Sequence, residues 1–172
     1  MNNLYNVSEL ESKISKGMRE MKHPFHLKAV WNGGRNSEGH INAGGLKTII
    51  SIPQEMGGPG TGTNPDEMLL GAAATCYLIT LAAMLERSDI TPQELTLESE
   101  AIVDVTNNVF TYERLIHKPR IVLKADASEA ERTKAERLAY RAEESCMISR
   151  AVAGNVSIET QPTIVTIGGN AV

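Results

Sequence analysis

Cysteine is scarce in this chain: 172 residues carry two, Cys76 and Cys146, about seventy positions apart and in no C-x-x-C arrangement. That excludes a disulfide scaffold and the common zinc frameworks, and a chain of this length, burying roughly 70% of its unfolded surface, needs no staples. His23, His26, His40 and His117 stand in no ligand spacing and read as surface or half-buried residues, so no metal site is expected. The absence of a G-x-S-x-G elbow argues against Ser-His-Asp chemistry. Basic stripes are missing too: the net charge is -4 and Lys and Arg are scattered, which disfavours a nucleic-acid partner. No basic, apolar, small-residue leader opens the chain, so a reducing cytoplasm is the expected compartment and a permanent disulfide is not expected there. Charge is also absent from residues 68–85, a run of about the length of a membrane span. Its Ala, Gly and Thr content, the flanking Asp66, Glu67 and Glu86, and the lack of Trp or basic anchors favour a buried central helix over a membrane segment.

What is present reads as one α+β domain over residues 23–168, preceded by a helical extension (1–22) and followed by a short tail (169–172). Val7, Leu10, Ile14, Met18 and Met21 recur at helical spacing, and Pro24 closes that amphipathic segment. Residues 25–52 read as a hairpin with a turn at Gly33-Gly34-Arg35-Asn36 and a glycine bulge. The stretch PQEMGGPGTGT is too rich in Pro and Gly for either regular element and suits a mobile lid. Asn64-Pro65-Asp66-Glu67 then starts a helix running to about Arg87: an N-cap, a proline at the first turn, and two acids complementing the dipole. Two or three strands follow with a turn at Asn107-Asn108, then a helix with a Ser128/Glu131 capping box reaching about Glu144. A short helix capped by Ser145 and a last strand complete the order ββ-α-βββ-αα-β.

On residue chemistry alone the two cysteines are a disulfide pair, a redox pair or two unrelated buried thiols. Cys76 lies about three turns inside its helix, beyond the reach of the helix dipole, among apolar neighbours that would raise its pKa unless a cation approached. Cys146, at a helix start, would be favoured as thiolate. Arg35, in its glycine-flanked turn, is the candidate cation.

Three segments together, Gly33-Gly34-Arg35, GGPGTGTNPDEMLLGAAATCY and SCMISRAVAGN, resemble the OsmC/Ohr family of organic hydroperoxide resistance proteins over about residues 25–167. The resemblance implies antiparallel sheets wrapped around a long buried central helix in an intertwined dimer. It places the peroxidatic cysteine at Cys76, the resolving cysteine at Cys146 and the family's arginine at Arg35. The family's glutamate after Asn-Pro falls on Asp66, one methylene shorter, with Glu67 beside it, and Met147 stands where the family usually has proline. A guanidinium oriented by a carboxylate would ionise a thiol in an apolar pocket.

The implied activity is a cofactor-free, thiol-dependent peroxidase acting on organic hydroperoxides, its disulfide returned to the dithiol by a small or protein-bound dithiol, a lipoyl group in the Ohr branch. Its rivals are a non-catalytic binder of apolar or acyl ligands and a thiol redox sensor. Asp66 and Cys76, ten positions apart on one helix, are separated by about 15 Å along the axis and face about 80° apart. An orienting carboxylate must therefore fold back or come from a second subunit, and the expectation is a homodimer in which Cys76 of one chain meets Arg35 and Asp66 of the other.

Overall fold

The computed structural model describes residues 22–167. The helix read over the first residues and the C-terminal tail lie outside the described residues. Strands β1 (Lys28–Trp31), β2 (Glu38–Ala43) and β3 (Leu46–Ser51) lead through a 3-10 turn (Gln54–Met56) into helix α1 (Pro65–Glu86). Strands β4 (Glu94–Thr106) and β5 (Val109–Lys124), helices α2 (Glu129–Ser145) and α3 (Met147–Val152), and strands β6 (Ser157–Thr160) and β7 (Thr163–Ile167) follow. The class is α+β with a central helix, but the strand order is corrected to βββ-α-ββ-αα-ββ.

Each correction has a local cause. Gly44-Gly45 is a tight turn between β2 and β3 rather than a bulge: Ala43 pairs with Leu46, and Gly44 adopts φ +60°, which glycine reaches without cost. The last strand is two, broken at Gln161-Pro162. On β5 the register of β6 ends at His117 and that of β7 begins at Arg120, so the break faces Pro119, which has no N–H to give. Both β6 and β7 run parallel to β5, which makes the four-stranded sheet mixed rather than antiparallel. Asn107 and Asn108 form the expected two-residue turn, both left-handed at φ 53° and 61°.

Helix α1 begins as its sequence predicts: Asn64 Oδ1 accepts from the N–H groups of Asp66 and Glu67 at 3.0 Å each, and Pro65 occupies the first turn. Its covered face is a single row, Ala73, Tyr77, Leu81 and Leu85, packed with Ile121 and Leu123 of β5 and with Ala135, Leu138, Ala139 and Ala142 of α2. The alanines let the two helices approach closely, and Tyr77 donates its hydroxyl to Ala139 O at 3.1 Å. The opposite side is open: Ile79 is 71% exposed, and Gly71, Ala72, Thr75 and Ala82 are exposed with it. A helix apolar on every face thus buries four of its 22 residues within this chain. Apart from its own strands, the sheet β1–β3 is tied through β3 to Thr63, whose N–H donates to Ile49 O and whose carbonyl accepts from Ser51 N–H, each at 3.0 Å.

Candidate functional site

Helix α1 carries Cys76 on the flank of its buried face, half-buried, while Cys146 sits fully buried at the joint where α2 ends and α3 begins. The expectation that Ser145 caps the short helix is corrected. Ser145 is the last residue of α2, and Cys146, extended at φ -65° and ψ 126°, is the cap between the two helices. Its N–H donates to Glu143 O at 3.0 Å and its carbonyl accepts from Arg150 N–H at 3.1 Å, which locks the joint. Both thiols are free, and each sulfur acts on the ionisation of the other.

The electrostatics reverse the sequence expectation for both cysteines. Burial pushes the Cys76 thiol up, but the Cys146 thiol, the backbone N–H groups of Ile148 and Met147, and the Thr80 hydroxyl together hold it below its ordinary value. Cys146 is pushed up by burial and by Cys76, with Ser149 and the Ile148 N–H offsetting only part. The N–H groups at the start of α3 therefore serve both sulfurs, Met147 and Ile148 acting on Cys76 and Ile148 and Ser149 on Cys146.

Behind the pair lies a polar cluster. Ser149 Oγ is buried near Cys146 and Glu143 without a hydrogen-bond partner among the described residues. The Glu143 carboxyl is held above its usual range by burial and by Glu144, with Ser149 acting in the opposite sense. His117, expected at the surface or half-buried, is fully buried in β5: it stacks on Tyr77 with centroids 4.8 Å apart and shares a 2.8 Å hydrogen bond between Nδ1 and Ser99 Oγ. Burial lowers its pKa, so it stays neutral there.

Arg35, Asp66 and Glu67 are placed elsewhere. Arg35 donates to Met56 O at 2.7 Å and Gly57 O at 3.4 Å, so the glycine-rich segment is pinned to the β1–β2 turn and holds a 3-10 turn where an irregular lid was expected. A Cβ at Gly58 would collide with Ile52 O, which explains glycine there. Arg35 and Asp66 both line a pocket of about 410 Å³ with Trp31, Ile50, Met56 and Phe110. Cys76 is not part of that lining. Glu67 faces the other way, accepting from Thr63 Oγ1 at 2.7 Å. Among the described residues no three His, Cys, Asp or Glu side chains converge to hold a metal ion.

Residues 58–161 match the family of OsmC-like proteins. The chain belongs to the OsmC-like family. Relatives include the uncharacterized protein YmaD of Bacillus subtilis (strain 168), 58% identical over 147 residues, with 86% of this chain and 97% of that one covered. The organic hydroperoxide resistance protein OhrB of the same organism is 27% identical over 140 residues, covering 80% and 96%. Among solved structures, an organic hydroperoxide resistance protein OsmC from Legionella pneumophila superposes with a TM-score of 0.66 at 26% identity, over 83% of this chain and 99% of that one.

Within this OsmC-like domain, one chain brings Cys76 and Cys146 together and sets Arg35 and Asp66 on the lining of a separate pocket. It does not join the two pairs. Sequence reasoning missed Thr80, Glu143, Ser149 and the N–H groups of Met147 and Ile148. Thr80 was findable, one turn after Cys76 on the same helix, whereas the Met147 and Ile148 N–H groups reach Cys76 only through the packing of α3 on α1.

Proposed function

We propose that the protein is a thiol-dependent peroxidase for organic hydroperoxides. The observation that carries this reading is a pair of free thiols, each acting on the other's ionisation, whose pKa values are driven apart, Cys76 down and Cys146 up. The lowered thiol is the nucleophile and the raised one is its proton donor. Cys76 as thiolate attacks the distal peroxide oxygen, the O–O bond breaks, and the leaving alkoxide takes a proton to become the alcohol. Cys146 then attacks the resulting sulfenic acid, giving a disulfide and water. A small or protein-bound dithiol, a lipoyl group being one such, returns the disulfide to the two thiols. Names of relatives such as OhrB support the substrate class, and free, oxidisable thiols suit a reducing cytoplasm.

The same reading takes the working unit as a homodimer. The bare side of α1, the unpacked sheet β1–β3 and exposed Ile79, Trp31 and Phe110 call for an apolar cover. A second copy would supply it and bring Arg35 and Asp66 of the partner subunit toward Cys76. Cumene hydroperoxide added to the reduced protein should yield a Cys76–Cys146 disulfide by peptide mass spectrometry, and Cys146→Ser should stop at sulfenic or overoxidised Cys76. If both thiols can still be alkylated after treatment, the enzyme reading fails. Turnover with a dithiol separates an enzyme from a sensor.

A further inference from the structure

An asparagine side chain is unstable beside a main-chain nitrogen that can reach it, because that nitrogen can attack the carboxamide carbon and expel ammonia. Attack needs a following residue with no side chain in the way and an N–H that is not already donating. The fold withholds one or the other from most of the described asparagines. Asn64 precedes Pro65, which has no N–H. Asn36 precedes Ser37, whose N–H donates to Gly34 O at 3.1 Å, and Asn155 precedes Val156, whose N–H donates to Val152 O at 3.1 Å. Asn42 precedes Ala43 inside the β2–β3 ladder, and Asn107 and Asn108 precede residues with side chains of their own. Asn32 differs from all of them. It precedes Gly33 at the start of the β1–β2 turn and both are exposed; among the described residues neither the Asn32 carboxamide nor the Gly33 N–H has a hydrogen-bond partner. Asn32 lines a polar cavity of about 440 Å³, open to solvent, with Ser37, Glu38 and Thr61. The turn holds its glycine fast: Gly33 sits at φ +122°, and a Cβ there would collide with Ser37 Oγ.

We propose that Asn32 is a modification site, converting in water to aspartate and isoaspartate within the folded protein and so loosening the turn that carries Arg35. The inference stands whether or not the protein is a peroxidase. Hydroxide takes the Gly33 amide proton, the nitrogen bonds to Asn32 Cγ, and the Cγ–Nδ2 bond breaks. The departing nitrogen takes a proton from water and leaves as ammonia, which restores the hydroxide. Water then opens the cyclic imide. Breaking the bond from nitrogen to the side-chain carbon gives aspartate, and breaking the bond to the main-chain carbon gives isoaspartate, in which the chain runs through the side chain. No oxidant or reductant takes part. Glu38 and Arg35 are the charged groups at the turn: Glu38 shares the cavity, while Arg35 is committed to the Met56 and Gly57 carbonyls. Either product sets a new carboxylate three residues before Arg35. Isoaspartate also lengthens the main chain between Trp31 and Gly34, a span now closed by the Trp31 Nε1–H donating to Gly34 O at 3.1 Å.

Two features make the test local: Trp31 is the chain's single tryptophan, and trypsin cuts after Lys28 and Arg35 to release peptide 29–35. Native full-length protein is kept at mildly alkaline pH in heavy-oxygen water, then digested in ordinary water so that only conversion during the incubation carries the label. Peptide 29–35 should lose its unmodified form and gain two chromatographically distinct isomers, each with one heavy oxygen, at a rate rising in proportion to hydroxide. Peptides carrying Asn36, Asn42 and Asn155 should stay unmodified over the same period. Trp31 fluorescence should shift in step with the loss of the 29–35 peptide, and Asn32→Ser, which removes a side chain without partners, should show neither change. A native protein whose 29–35 peptide stays intact while that of the urea-unfolded chain converts overturns the proposal, because the folded turn would then protect the bond. Conversion no faster than at Asn36 overturns it as well. Conversion with unaltered Trp31 fluorescence strikes the loosening of the turn.

Discussion

A thiol is a poor hydrogen-bond acceptor and a thiolate a good one, so the donors gathered at Cys76 discriminate between its two protonation states. Removing a donor should therefore raise the thiol pKa. Cys146→Ala takes away the largest of them, and the pH midpoint of Cys76 alkylation by iodoacetamide should move upward, with slower reaction at neutral pH; an unmoved midpoint would leave the backbone N–H groups and Thr80 as the cause. Because the wild-type Cys76 pKa is lowered, the reactive form gains population as pH rises through a point below the usual thiol range and is lost under acid. Arg35→Ala tests the other half of the site: under the dimer reading, oxidation by an organic hydroperoxide should slow about tenfold or more, with Arg35→Lys recovering part because it lacks the planar fork. In a protein whose Arg35 only pins the Met56 and Gly57 carbonyls, stability would fall while the Cys76 pKa stayed put. The residue types at these positions could be read from the sequence. Their wiring could not, since the N–H groups at Cys76 come from a helix about seventy residues away and their direction is set by packing.

The elements show how much of the fold local rules specify. Asn64, Pro65 and the Asn107-Asn108 pair were legible because each acts within four residues of itself. The β2–β3 turn and the split of the last strand were not, because two adjacent glycines fit a bulge as well as a turn, and the gap between β6 and β7 answers a proline on another strand. The cap between α2 and α3 was misplaced by one residue, which was enough to exchange the electrostatic roles of the two cysteines. The Asn64 cap offers a direct measure at this scale. Its side chain is 5% exposed and holds two N–H groups at the start of α1, so Asn64→Ala should cost about 1–2 kcal/mol, read as a lower urea midpoint with little change in slope. Asn64→Asp or Asn64→Ser should recover most of it, and a midpoint equal to wild type would show that the helix start does not depend on the cap.

At the scale of the whole molecule, the proposed dimer would cover the apolar surface that one chain leaves bare on α1. Sedimentation should find a dimer at micromolar concentration. Equal amounts of Cys76→Ser and Arg35→Ala chains, unfolded and refolded together, should regain roughly a quarter of the wild-type sites if each site draws on both subunits, and none if it does not. A monomer, or proven heterodimers without activity, would sink the shared site. The placement of Cys76 on α1 and Cys146 at the α2–α3 joint has a last consequence in the language of redox potentials. A bond between them closes a loop of about seventy residues containing the β4–β5 hairpin and α2, and loop-closure entropy alone would stabilise the oxidised fold by about 4 kcal/mol. By the thermodynamic cycle, folding then makes this disulfide harder to reduce than the same bond in the unfolded chain, by about 90 mV. Turnover requires that the deficit be met, either by geometric strain that the oxidised joint imposes on α3 or by a dithiol of correspondingly low potential, so the choice of reductant is already constrained by how the chain is threaded.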